Sequence, residues 1–275
     1  MEIKINGKTA DITLDTEETI IEVITSLEQW ITGSGHRLSG ISLDGQPLNA
    51  SMLDDIFSKD IKSVKTLDVF TSSIAQLTAE SLFSLLQDIK EFENLKFEDK
   101  KDFFEDWKNR AQSVFISEQM PDLYNFFVNS FSGGEVSPNV VYSITEERLR
   151  EVENPQQEFS NIQELVEETC SRLVDLPLDI QTGKETRAAQ TIQIFSGITE
   201  KILRILRQLD NQKYLQENPF RETVNEFANK VKEFIDAYEK QDTVLTGDLA
   251  EYEIAPALKA LYDNIKSTET TGLHK

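Results

Sequence analysis

One cysteine, two histidines and no long apolar run are the first things to note in this 275-residue chain. The lone Cys170 excludes an intramolecular disulfide and any zinc site built on several thiolates. It falls at an apolar position of a predicted helix, so a packed thiol is expected there. With only His36 and His274, each expected in a loop or tail, no His/Asp ligand cluster and no Ser/His/Asp set can be assembled. HExxH, GxGxxG, a phosphate-cradling glycine loop and an EF-hand loop are all missing. Ser42 stands between Gly40 and Gly45, but in a strand and its turn, not in the strand-to-helix setting of a nucleophile elbow. No metal and no cofactor are expected, and catalysis is disfavoured.

Positive charge is scarce as well. The chain carries 28 Lys and Arg against 49 Asp and Glu, a formal net charge of −21. Nucleic acid and anionic membrane both demand clustered cations, so neither is expected as a partner. No apolar run approaches the roughly eighteen residues that cross a bilayer. The chain opens MEIKINGKTA, which reads at once as strand with no basic and apolar leader before it. A soluble, cytoplasmic protein is the expectation. Carboxylates such as Glu146, Glu147, Glu167 and Glu168 read as solvated helix faces.

What is present divides by period. With 39% apolar and 28% charged residues the chain can bury proper cores, and its length suggests two or three domains. Residues 2–5 and 9–14 alternate as strands around Asn6-Gly7, the strongest local signal for a two-residue hairpin turn. Ile20, Val23, Ile24, Leu27, Trp30 and Ile31 then repeat at helical spacing. Thr16 is the expected N-cap and Gly33 the expected left-handed residue at the other end. Residues 38–43 with the Asp44-Gly45 turn give a further strand, and residues 65–71 a last one with Leu67 and Val69 inward.

Hairpin, helix, strand, turn, strand is an order that resembles the ubiquitin family. The resemblance lies in MEIKI-NGKTADITL, TIIEVITSLEQ, ISLDGQPL and VKTLDVF, and it covers residues 1–73. It implies a β-grasp fold, a mixed sheet wrapped around one helix. Conjugated members end in Gly-Gly just after the last strand, whereas here Thr71-Ser72-Ser73-Ile74 follows and the chain continues. The apolar residue that many members use for receptor contact would fall at Ser42. The resemblance therefore implies an integral docking domain and not a modifier.

From Ala75 the period becomes 3.6. Thr78 can cap a helix with Leu82, Leu85, Leu86, Ile89 and Phe92 inward. A second helix carries Phe103, Phe104, Trp107, Ala111, Val114 and Phe115. A third starts near Pro121 with Leu123, Phe126, Phe127 and Phe131. So many rings in residues 77–133 either fill the core of three short helices or line a groove for a partner helix. On the second reading Phe103, Trp107, Phe126 and Phe127 are the partner-binding candidates. Residues 134–157, with Gly134, Pro138 and Pro155, read as a connector holding one short helical piece near Thr145.

Residues 158–267 read as four amphipathic helices in an antiparallel bundle. The first carries Ile162, Leu165, Val166, Thr169 and Leu173. The second carries Ala188, Ile192, Phe195, Thr199, Ile202, Leu206 and Leu209. The third carries Phe220, Val224, Phe227, Val231, Phe234 and Tyr238, and the last Leu249, Tyr252, Leu258, Leu261, Tyr262 and Ile265. Pro256 must kink the last helix or open a new segment, since it removes an internal hydrogen bond at roughly 3 kcal/mol. The second helix is apolar off its main stripe too, at Ile194, Ile198, Leu203 and Ile205. It is either central in the bundle or presents a docking surface, with Arg204 and Arg207 on its solvated face. The hairpins of residues 174–206 and 231–261 look alike, which an old duplication would explain. Residues 157–267 are loosely similar to the flagellin export chaperones, helical bundles with a comparable polar tight turn; the resemblance implies a grip on a client helix.

The expected fold class is α+β: a β-grasp module over residues 1–73, then an all-α region ending in the bundle. The expected function is a non-catalytic cytoplasmic interaction factor, an adaptor or assembly chaperone with a protein partner. A homodimeric, self-assembling structural protein is the alternative, and an enzyme with a carboxylate site of no recognisable motif is the third reading.

Overall fold

The structure is a computed structural model that describes residues 1–12, 17–48, 56, 59–211 and 219–272, with the side chains of 210, 211, 219–221 and 268–272 outside the description. Leu14, Thr16, His274 and the Phe220 side chain therefore lie outside the described residues. The chain forms two compact units, Met1–Glu146 and Glu147–Lys275.

The first unit begins with a five-stranded sheet. β1 (Glu2–Ile5) and β2 (Lys8–Thr9) form a hairpin through Asn6 and Gly7, both left-handed with φ of 50° and 76°. That is the geometry a tight primed turn imposes, and Asn and Gly tolerate it best. Among the described residues the pairing stops short of the expected 9–14 strand. The Ala10 amide still donates to the Ile3 carbonyl at 2.9 Å, and Ile12 still packs on the core, but the ladder ends at Thr9.

α1 (Ile20–Gly33) follows, and Thr19 precedes it where Thr16 was expected. The Glu22 carboxylate accepts from the Glu18 and Thr19 amides, which holds its pKa below the usual carboxylate range. The left-handed residue beyond the helix is Gly35 (φ 77°) and not Gly33, because Ser34 still continues the last turn. Trp30 is 62% exposed, although it belongs to the expected stripe. It sits about 70° from the centre of that stripe at 100° per residue, far enough to leave the core.

β3 (His36–Leu43) and β4 (Gln46–Pro47) join through Asp44 and Gly45, again both left-handed. His36 thus opens a strand instead of lying in a loop. β5 (Thr66–Ser73) closes the sheet in the order β2-β1-β5-β3-β4, with the central β1–β5 pair parallel. Ile3, Leu67 and Val69 on the sheet meet Ile20, Val23, Ile24 and Leu27 on α1. Ser42 is buried at 7% exposure, so the strand position expected to face a receptor is closed.

β5 runs without a loop into α2 (Ile74–Asn94), capped by the Ser73 hydroxyl, which accepts from the Gln76 amide at 3.1 Å. Thr78, the expected cap, lies inside the helix and donates to the Ile74 carbonyl. The second expected helix is two, α3 (Lys100–Trp107) and α4 (Ala111–Gln119), broken at 108–110. α5 (Pro121–Phe131) opens on its proline as its spacing suggests.

The expected connector is helical. α6 (Pro138–Glu153) and α7 (Pro155–Asn161) account for most of residues 134–157. Pro138 and Pro155 each occupy a first helical position, where a missing N–H costs nothing. Val141, Thr145, Leu149 and Val152 recur at four- and three-residue steps and are buried, which supplies the driving force.

The second unit is a bundle built on two hairpins. α8 (Gln163–Gln181) turns at Gly183 into α9 (Glu185–Asn211). α10 (Pro219–Glu239) turns at Gln241 into α11 (Thr243–Leu249). Both turns use the same three backbone bonds. The Thr182, Gly183 and Lys184 amides reach Leu178, Ile180 and Asp179, and the Lys240, Gln241 and Asp242 amides reach Asp236, Tyr238 and Ala237. A π-helical turn, Ala250–Ile254, then leads into α12 (Ala255–Gly272). It lies directly ahead of Pro256, so the proline falls in a new first turn and breaks no ladder. α8 runs antiparallel to α11 and α12: Lys266 bonds Gln163, Cys170 reaches Ala255, and Gly247 sits against Pro177.

Candidate functional site

Three of the four aromatic candidates are interior. Trp107 and Phe127 are fully buried and Phe103 is 8% exposed. Trp107 stacks on Phe127 at 5.4 Å and on Tyr124 at 5.6 Å, and meets the edge of Phe131 at 5.1 Å. Phe92 stacks on Phe131 at 4.2 Å and touches Phe103 at 5.7 Å. The rings satisfy one another, because short helices with few core positions need large side chains to exclude water. Phe103, Trp107 and Phe127 thus fill the core, the first of the two readings of this stretch. Phe126, at 38% exposure, is the one that remains on the surface.

The α9 candidates divide in the same way. Ile198 and Ile205 are buried, Ile194 is half-buried and Leu203 is 37% exposed. Arg204 does not sit on a solvated face. Its Nε and a terminal nitrogen donate to the two Glu151 oxygens at 3.0 Å each, a bidentate fork across to α6. Lys201 donates to Glu147 at 2.7 Å and lies 3.6 Å from Glu158; Arg148 lies 3.5 Å from Glu151. Glu147, read as solvated from its place on a helix, thus belongs to this ionic cluster.

Glu151 is the most enclosed acid of the cluster, with 2% exposure. Burial outweighs the pull of Arg148 and pushes its carboxyl up to about 7. The cations on both sides are spoken for by carboxylates, so the cluster fastens α6 and α7 to α9 and fixes their register.

The remaining chemistry is quiet. The Cys170 thiol donates to the Ala255 carbonyl at 3.4 Å, and burial raises its pKa away from thiolate. Among the described residues no group of three His, Cys, Asp or Glu can hold a metal ion. No helix there is long and apolar enough to cross a membrane.

What stands out on the second unit is apolar and exposed. Val174 and Leu178, one turn apart on α8, are 48% and 58% exposed. On α11, Val244 is 72% and Leu245 45% exposed. The two helices are drawn together where Gly247 meets Pro177; a Cβ on Gly247 would come within 3.1 Å of the proline Cβ. Tyr238 and Tyr252, placed on inner stripes by their spacing, are also largely outside, and Ile235 is 46% exposed. Val174 and Leu178 carry a detectable signal, an i,i+4 apolar pair off the stripe of Val166 and Leu173.

A sheet module followed by helices that end in a bundle makes this an α+β protein. Residues 1–73 match the TP0873 N-terminal domain family, and residues 157–264 match a domain of unknown function (DUF8042). The chain is also similar to an uncharacterized protein of Treponema pallidum (strain Nichols), 20% identical over 270 residues, which span 96% of each chain. No solved structure matches. The two matched segments correspond to the sheet module and to α7–α12.

Proposed function

We propose that the protein is a non-catalytic, cytoplasmic interaction factor, an adaptor or assembly chaperone, that docks a protein partner through its helical C-terminal unit. The observation that carries this reading is the exposed apolar set Val174, Leu178, Val244 and Leu245 on two adjoining helices. Burying what each side chain still exposes stabilises a complex by about 1 kcal/mol per residue. The groove between two helices is the usual seat of an amphipathic partner helix. The likeness of residues 157–267 to the flagellin export chaperones agrees with a helical client. The N-terminal module reads as an integral ubiquitin-like β-grasp domain; a parallel central pair with α1 across one face supports this.

The test is capture from native lysate on full-length protein and on a Leu178→Asp/Val244→Asp variant. The reading predicts a stoichiometric partner that the variant loses. Light scattering separates the alternative. A dimer that the same variant dissociates assigns the surface to a second copy of the chain.

A further inference from the structure

α8 and α11 meet at Pro177 and Gly247, and the residues beside that contact recur in step on the two helices. Val174 precedes Pro177 by three residues, and Val244 precedes Gly247 by three. At 100° per residue each valine is turned about 60° off the contact. Because the helices run antiparallel, the same turn leads to the same side of the seam. Leu178 and Asp248, each one residue past the contact, are turned about 100° to that side as well. Further along α8, Ser171 and Glu167 continue the face of Val174 and Leu178 at steps of three and four residues. All six side chains are exposed. The seam is thus apolar toward the Gly183 turn and acidic toward Glu167, about 10 Å beyond Val174 at 1.5 Å per residue.

Charge along the seam has one sign. Residues 163–181 and 243–254 hold eight Asp or Glu and one cation, Arg172. Arg172 is held by Glu168 at 2.8 Å. Arg187 reaches Asp175 and Asp179, and Lys230 reaches Glu253. Glu167 accepts from the Gln163 side-chain amide at 3.0 Å, a neutral donor that cancels no charge. Glu167 and Asp248 therefore set an acidic border beside the exposed valines and leucines. A second copy of the chain brings the same excess of acid to such a contact, and like charges across it oppose association. A cationic partner is the complement.

We propose that the occupant of this seam is a basic amphipathic helix of a protein partner. It carries two large apolar side chains one turn apart, and Lys or Arg further along the same face. The apolar pair rests on Val174, Leu178 and Val244, and the cations reach Asp248 and Glu167. Apolar anchors at helical spacing are what a groove between two helices selects. Lys and Arg lay their methylene stems on apolar surface while their charged heads reach the acids. Residues 167–181 offer about 21 Å of seam, the length of a four-turn guest. This inference rests on the reading of the exposed apolar set as a docking surface and adds the kind of partner it takes.

The probe is a fluorescein-labelled, stapled four-turn helical peptide, titrated into the full-length protein and followed by anisotropy. It carries two leucines one turn apart and two lysines further along the leucine face, with the staple opposite. One control peptide has glutamates for the lysines, and another has the lysines on the face opposite the leucines. Three protein variants accompany them: Leu178→Asp/Val244→Asp, Glu167→Lys/Asp248→Lys and, in the first unit, Glu80→Lys/Glu118→Lys. All six substituted residues are exposed, and thermal unfolding checks that each variant keeps its fold. The proposal expects the lysine peptide to bind and both control peptides to bind about fivefold more weakly. Leu178→Asp/Val244→Asp abolishes binding. Glu167→Lys/Asp248→Lys weakens the lysine peptide about fivefold and favours the glutamate peptide. Glu80→Lys/Glu118→Lys changes neither.

Equal binding of the lysine and glutamate peptides overturns the cationic partner and leaves the docking surface standing. An equal loss from Glu80→Lys/Glu118→Lys overturns it too, because the net charge of the chain then holds the probe. Binding that survives Leu178→Asp/Val244→Asp takes the probe off the seam and removes the site. No binding of any peptide overturns the helical partner, while the capture from lysate decides separately whether the surface takes a partner at all. A dimer that Leu178→Asp/Val244→Asp dissociates assigns the seam to a second copy of the chain.

Discussion

The helices of the first unit close mainly on rings, with a buried ion pair between Arg110 and Asp88 at 2.6 Å, whereas those of the second are fastened by a network of ions. Trp107, Phe127, Phe131, Phe103 and Phe92 meet one another, so their contacts need no charge and no particular pH. In the second unit the core is largely aliphatic, and Glu151, Arg148, Glu158 and Asp179 are nearly as buried as the leucines. Arg204 reaches Glu151 across 53 residues, and Arg187 reaches Asp179 at 2.9 Å where α8 turns into α9. Rings grip without regard to solution conditions; ions hold register but tie stability to protonation. The comparison therefore predicts two kinds of failure.

Phe127→Ala is the sharpest break in the ring-bound unit. It removes a fully buried ring against Trp107 and costs about 3–5 kcal/mol. The loss stays constant between pH 5 and 8. Both tryptophans, Trp30 and Trp107, belong to the first unit, so denaturant unfolding followed by tryptophan fluorescence reports on that unit alone.

Arg204→Met is the matching break in the other unit. It leaves Glu151 buried without its fork and costs about 3 kcal/mol at pH 8, measured by far-UV circular dichroism in denaturant. Unlike the ring deletion, its cost shrinks as the pH falls and Glu151 takes up a proton. The wild type shows the same linkage. Burial lifts the Glu151 carboxyl from 4.5 to about 7, so between those values the folded chain holds a proton that the unfolded chain has released. Stability therefore falls as pH rises through that window, by up to ~3 kcal/mol, and Glu151→Gln flattens the slope. A wild-type slope that survives Glu151→Gln contradicts the assignment.

Gly247→Ala tests the joint between α8 and α11. The new Cβ would stand 3.1 Å from the Pro177 Cβ and 3.2 Å from its Cα, and one of the helices must give. Overpacking outweighs the helix preference of alanine, for a net loss of about 1 kcal/mol in thermal unfolding.

The local rules were legible. Asn6-Gly7 and Asp44-Gly45 announce their turns because left-handed backbone at two successive positions leaves few residue choices. Leu82, Leu85, Leu86, Ile89 and Phe92 announce their helix by spacing. Pairing across the chain was not legible. A period tells which face of a helix is apolar and never what lies against it. Hence Phe103, Trp107 and Phe127 could be read as groove or core. Arg204 looked solvated because Glu151 lies on a distant helix. α6 was hidden by its own prolines: Pro138 and Pro155 read as breaks although each opens a helix. Val174 and Leu178 lie off the inner stripe through Leu173, and spacing alone does not tell whether another helix covers them.

The smallest expected effect on stability bears most directly on function. Leu178→Asp/Val244→Asp changes two exposed positions, so unfolding shifts by less than about 0.5 kcal/mol. The decisive measurement is capture from native lysate by the full-length wild type and by this variant, with captured proteins quantified by mass spectrometry. The account predicts a partner in stoichiometric amount on the wild type and its loss on the equally stable variant. An identical set of proteins on both, or none on either, contradicts the claim that the bundle's apolar surface is where this protein works.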